Sequence, residues 1–205
     1  MSRLVCMNDL QQRLDNHTPN AIGLELPEAA VLLAITQDQD QPEIIFTQRA
    51  NHLNSHAGQV AFPGGKKDPE DACLVETALR ETEEEIALPR ESIRLLGQLS
   101  QVVSRQGILV YPYIGLVEGT HQLVANQGEL DAIFHVPVDY FLQNEPDCFD
   151  RIQHPKGEVY IPCYFYEEYE IWGLSAMILS EFLDVGFDAG FDLFSKPDDS
   201  RIRYR

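Results

Sequence analysis

Positive charge is scarce in this 205-residue chain: 15 Lys and Arg stand against 33 Asp and Glu, a formal net charge of −18. A general DNA or RNA binder needs a basic stripe to meet the phosphate backbone, so no nucleic-acid partner is expected. Long apolar runs are missing too, since no stretch approaches the roughly 18 residues of a membrane span. The opening residues 1–7 meet Asn8 and Asp9 before they can become a secretory apolar core. These absences lead to the expectation of a soluble, cytoplasmic protein with no membrane partner. Cysteine is also sparse. Cys6, Cys73, Cys148 and Cys163 are too few for a disulfide framework and too far apart for paired C-x-x-C zinc ligation, so buried free thiols are expected.

What is present fits one globular domain, with 44% hydrophobic and 23% charged residues, no internal repeat and no low-complexity segment. Leu4, Met7, Leu10 and Leu14 recur at helical spacing and predict an N-terminal helical extension within residues 1–20. Short Val-, Ile- and Leu-rich runs at 29–36 and 43–48, split by a polar linker, predict a hairpin. Further strands are expected at 93–103, 108–117, 132–136, 158–165 and 169–172, a short helix at 137–142 and a long helix at 174–185. Strands before, between and after two long helices predict helices packed on a mixed sheet, an α/β domain over residues 21–187. The tail 188–205 has weak periodicity and is expected to be loosely ordered, with its two Phe residues able to dock.

The first long helix carries the chemistry. It is expected to begin near Asp68-Pro69-Glu70, with Pro in its first turn, and to end by Pro89. Residues 71–87 read DACLVETALRETEEEIA, and successive positions lie about 100° apart. Ala72, Val75, Leu79, Thr82 and Ile86 fall on one stripe able to pack on a sheet, and Glu81, Glu84 and Glu85 gather on roughly the opposite side. Glu83 points away from these three and is expected to be solvated. Like charges at this spacing destabilise a helix by roughly 0.2–0.5 kcal/mol per pair, a penalty that a hard divalent cation reverses. Arg80 stands four residues from both Glu76 and Glu84 and can pair with either. The other reading is a plain acidic helix face in an acidic chain. Phe62-Pro63-Gly64-Gly65 just upstream argues against it, because tandem glycines permit positive φ and close approach of backbone to a metal or phosphate.

Arg80-Glu81-Thr82-Glu83-Glu84-Glu85-Ile86-Ala87-Leu88 resembles the R-E-U-x-E-E-x-G-U half of the Nudix hydrolase signature, in which U is apolar. Thr82 replaces an apolar residue, Ala87 replaces Gly, and Ala72 stands where the pattern has a Glu, for which Glu76 is the substitute partner of Arg80. Gly65 lies one residue further from Arg80 than the pattern allows, so the loop is longer. Thr47-Gln48-Arg49-Ala50, the run from Gly58 to Pro69, Thr77-Ala78-Leu79-Arg80-Glu81 and Tyr169-Glu170-Ile171-Trp172-Gly173 resemble the coenzyme A pyrophosphatase branch of that family. Asn54 stands where that branch usually has a basic residue.

The resemblance implies an α/β/α Nudix sandwich that hydrolyses a nucleoside diphosphate linked to another group. It implies a small-molecule nucleotide substrate, here coenzyme A or a derivative, split to 4′-phosphopantetheine and 3′,5′-ADP. It also implies Mg²⁺ or Mn²⁺ on Glu81, Glu84, Glu85 and the Gly64 carbonyl, and leaves a homodimer open. Glu84, Glu85 and Arg80 are the catalytic candidates, and Glu129 is either a fourth carboxylate near the site or an ordinary surface Glu. Arg49, His56, Lys66 and Gly65 are the substrate-binding candidates, with His52 and Lys67 beside them. The alternatives are hydrolysis of another nucleoside diphosphate derivative, such as ADP-ribose, and a catalytically silent nucleotide-binding regulator.

Overall fold

The computed structural model describes residues 7–204 other than 39, 54, 155 and 156. At its centre β1 (Glu28–Thr36) and β2 (Glu43–Arg49) form the expected hairpin, but they pair only near the turn, Ala34 with Ile45 and Ile35 with Ile44. Beyond these pairs the two strands part, and the gap is filled by two short strands that sequence reading did not predict. β3 (Val60–Ala61) pairs with β2, and β4 (Gly64–Lys66) pairs with β1. The Leu32 amide donates to the Pro63 carbonyl at 2.8 Å and ties down the crossing between them. Gly64-Gly65 is therefore built into the sheet as a wedge, not carried on a free loop.

β1 runs parallel to β7 (Leu109–Val117), which pairs antiparallel with β5 (Ile93–Gln98) and β6 (Val102–Val103). On the far side β2 pairs with β8 (Leu130–Pro137), which runs into the short helix α3 (Val138–Gln143). Alternation of side chains along β1 assigns its two faces. Ala30, Leu32 and Ala34 join Ala78, Ile86 and Leu88 under helix α2 (Leu74–Ile86). Leu33 and Ile35 join Phe46, Leu10, Leu14, Leu179 and Phe182 under helices α1 (Met7–Asn16) and α4 (Gly173–Phe187). The mixed sheet thus lies between helical layers, as expected.

Three expectations need correction. Helix α1 is a layer of the fold, not an outlying extension: Leu10 and Leu14 are buried in the core, each stabilising by about 2 kcal/mol. Leu4, first in the predicted stripe, and Cys6 lie outside the described residues. Second, the strands expected at 158–165 and 169–172 belong to a separate four-stranded sheet, in the order β11 (Tyr169–Ile171), β10 (Gly157–Tyr166), β9 (Cys148–His154), β12 (Ile202–Arg203), of which sequence reading missed β9 and β12. Because β12 belongs to the tail, the tail is docked. Ile202 is buried, Arg203 reaches Asp150 and Glu170, and the Tyr160 amide donates to the Leu193 carbonyl. Third, of the described cysteines only Cys163 is buried; Cys148 is half-buried and Cys73 exposed at the head of α2.

Candidate active site

Helix α2 starts at Leu74, later than the sequence suggested, because Asp71 recruits the chain before it to a different purpose. The Asp68 amide and the Thr77 hydroxyl both donate to the Asp71 carboxylate at 2.9 Å. Arg80 closes on the same carboxylate with Nε at 2.9 Å and Nη2 at 3.0 Å, a two-pronged pair that holds the Asp71 carboxyl well below the usual range. This corrects the assignment of Glu76 as the partner of Arg80: the Glu76 carboxylate accepts instead from the Ala72 amide. Ala72 is exposed, outside both the helix and its buried stripe. The rest of the Arg80 fork reaches Glu81 at 3.0 Å, Glu84 at 3.1 Å and the Lys66 carbonyl at 3.3 Å. One guanidinium therefore joins the pre-helical turn, the glycine strand and two of the three glutamates.

The carboxylates meet the wedge through the missing side chains of its glycines. A Cβ on Gly65 would stand 2.4–2.6 Å from the Glu81 carboxylate, so only Gly lets that carboxylate lie against the strand. Gly64 has φ +153, and a Cβ there would strike the Ala30 carbonyl at 2.3 Å. Its amide donates to Glu85 Oε2 at 3.1 Å. Glu85 is 3% exposed, and its other oxygen is 3.9 Å from Arg49 on β2. Burial drives the Glu85 carboxyl up to about 7 against the pull of Gly64 and Arg49, and the charges of Glu81 and Glu129 add to the rise. Burial likewise raises the Glu81 carboxyl, with Arg80 opposing. Glu129 precedes β8, where its carbonyl accepts from the Ala50 amide beside Arg49. Arg49 Nε is buried without a hydrogen-bond partner.

Other candidates are less well aimed. Glu84 is 57% exposed on its side chain and shares Arg80 Nη1 with Glu81. Glu83 is not merely solvated, since it pairs with Arg90 at 2.9 Å. Lys66 follows Gly65 in β4, so strand alternation sends its side chain to the opposite face from Glu81. His56 Nδ1 is hydrogen-bonded to Gln59 at 2.6 Å, His52 meets the Gly128 carbonyl, and Lys67 pairs with Glu28. Asn54 lies outside the described residues. Asp71 is what the sequence reading missed, and the longer loop before Arg80 was its signal.

The NUDIX domain model matches residues 26–156, more than half the chain and all of the wedge and α2. The chain belongs to the Nudix family. Its relatives include the uncharacterized Nudix hydrolase NudL of Yersinia enterocolitica, 38% identical over 167 residues, which are 82% of this chain and 85% of that one. Another is NudL of Photorhabdus laumondii, 39% identical over 153 residues, 75% of this chain and 81% of that one. Among solved structures, the NUDIX domain of Shewanella oneidensis NrtR complexed with ADP ribose has TM-score 0.47 and 23% identity, over 64% of this chain and 85% of that one. A C. elegans Ap4A hydrolase binary complex has TM-score 0.48 and 16% identity, over 56% and 83%.

Two departures of this Nudix hydrolase from its family signature have local explanations. Ala87 ends α2 in the left-handed region, φ 54, which is the conformation a Gly accommodates without strain. Thr82 occupies a fully buried apolar position by returning its hydroxyl to the Ala78 carbonyl at 2.7 Å.

The donor chemistry of the cluster fits a hard divalent cation. Burial first, then the negative charges of Glu81 and Glu129, raise the Glu85 carboxyl, and Glu84 and Glu129 act likewise on Glu81, so the site is rich in oxygen donors and negative charge. The oxygens nevertheless face protein partners, the Gly64 amide and Arg80, and among the described residues no three acidic, His or Cys groups converge as a ready-made ligand set.

Proposed function

We propose that this Nudix hydrolase is a metal-dependent pyrophosphohydrolase that cleaves the diphosphate of coenzyme A or its derivatives, adding one water to give 4′-phosphopantetheine and 3′,5′-ADP. The observation that carries the proposal is the seating of Glu81 and Glu85 against Gly65 and Gly64, in the longer loop that resembles the coenzyme A pyrophosphatase branch. Glu81, Glu84 and Glu85, with the Gly64 carbonyl, would hold Mg²⁺ or Mn²⁺. When bound, the metal supplies charge neutralisation at the phosphate oxygens and lowers the pKa of water.

The chain's own residues do the remaining work. Arg80 is a positioning residue: anchored on Asp71, it sets the rotamers of Glu81 and Glu84. Arg49, with an unsatisfied buried Nε, turns its guanidinium to the diphosphate. Glu129, half-buried at the edge of the cluster, accepts a proton from the attacking water. Gly65 lets substrate approach the backbone, Lys66 serves phosphate on the outer face, and His56 contacts substrate from its loop.

Product analysis tests the reading. Purified protein is incubated with coenzyme A, ADP-ribose and deoxynucleoside triphosphates, each with Mg²⁺, Mn²⁺ or chelator. The expected result is 4′-phosphopantetheine and 3′,5′-ADP, formed only with metal and lost in Glu85→Gln. Turnover of ADP-ribose without coenzyme A would replace the substrate and keep the metal helix. No turnover of any of them would favour a silent binding domain.

A further inference from the structure

Away from α2 and the glycine wedge, the four-stranded sheet holds a second group of reactive side chains. Cys148 on β9 and Cys163 on β10 are directly opposed in antiparallel register, and the pairing runs unbroken to them from the His154–Gly157 pair. Cα atoms of directly opposed antiparallel residues stand about 4.5 or 5.5 Å apart, and a disulfide spans about 4.4–6.8 Å, so a bond between these sulfurs needs no slip of either strand. Cys148 is half-buried and open to a small reagent, while Cys163 is buried. The Cys163 thiol donates to Asp150 Oδ2 at 3.3 Å, and Arg203 from the docked tail donates to its sulfur.

We propose that Cys148 and Cys163 are a dithiol modification site that closes to a reversible cross-strand disulfide, with a low-molecular-weight disulfide as the oxidant. Cys148 loses its proton and attacks one sulfur of the oxidant, forming a mixed disulfide and releasing one thiolate. Cys163 then loses its proton to Asp150, and its sulfur attacks the Cys148 sulfur and expels the second thiolate. Two protein thiols become one disulfide, the oxidant disulfide becomes two thiols, and the two protons end on the released thiolates. Arg203 faces the Cys163 thiolate as it forms, which lowers the energy of an anion otherwise disfavoured by burial and by Asp150.

The test uses the native full-length protein incubated anaerobically with glutathione disulfide, quenched with iodoacetamide in denaturant and digested without reduction. Mass spectrometry is expected to find peptides joined through Cys148 and Cys163, lighter by two hydrogens than the reduced pair and separated by dithiothreitol. Exposed Cys73 reports that the oxidant was active by carrying a glutathione adduct. Cys163→Ala is expected to trap glutathione on Cys148, and Cys148→Ala to leave Cys163 a free thiol. Oxidation should raise Tm by about 5 °C in the wild type and not in Cys148→Ala. The proposal is overturned if wild-type Cys148 and Cys163 are both recovered alkylated, if Cys148 is recovered as a glutathione adduct without the link, or if the link appears only after unfolding in urea.

Discussion

Two buried carboxylates, Glu85 in the glycine wedge and Asp150 in the four-stranded sheet, are similarly hidden from water, 3% and 4% exposed, yet they are treated in opposite ways. Asp150 receives both prongs of Arg203, at 3.0 and 3.3 Å, and the Cys163 thiol besides. Glu85 receives one backbone amide and has its nearest cation 3.9 Å away, with two further glutamates acting on it as like charges. The charge of Asp150 is neutralised within the fold by Arg203. The charge of Glu85 is left short of compensation, and its donor chemistry suits a divalent cation.

The sharpest way to break this comparison is to neutralise each acid. Glu85→Gln should lower turnover by about 10²–10³-fold while leaving the metal-free protein at least as stable at pH 8, because it removes a charge that burial disfavours. Steady-state assays and chelator-treated urea melts check the two halves. Asp150→Asn should do the reverse, destabilising by about 3 kcal/mol through the stranded Arg203 and altering turnover much less. If Asp150→Asn abolishes turnover without loss of stability, the division into structural and functional acids fails.

Acid sensitivity offers a third test. The Arg80 fork holds the Asp71 carboxyl below its unfolded value, so its contribution is fully present above that value, near about 3.9, and is lost as pH falls through the lower folded one. Asp71→Asn should therefore lower stability at pH 7 and flatten its further fall between about pH 4 and pH 2 in urea titrations. The smallest effect is expected at the end of α2, where Ala87→Gly should stabilise by about 0.5–1 kcal/mol with turnover unchanged, since Gly removes the left-handed strain.

Much of the helix and the grouping of its charged residues was legible because it is local. Arg80, Glu81, Glu84 and Glu85 are set by helical spacing, and the tandem glycines marked a close approach before any neighbour was known. Helical spacing did not reveal that Glu81 and Glu85 turn to the wedge while the Glu84 side chain stays exposed, because that depends on where β4 lies across the helix. Asp71 was overlooked for a related reason: its claim on Arg80 comes from a turn that leaves the helical path, so counting along a helix pointed to Glu76.

The longer helices, most of the longer strands, the acidic helix face and the glycine break were determined by the sequence alone, since each rests on propensity and periodicity over a few neighbouring residues. Tertiary structure decided the parting of β1 from β2, the insertion of Gly64-Gly65 between them, and the docking of the tail on β9. Those features depend on hydrogen bonds and ion pairs between residues remote in the chain, such as Arg203 with Asp150 across a separation of 53 positions. Local pattern carries no record of such pairs, and it is they that separate a neutralised acid from one left with its charge unmet.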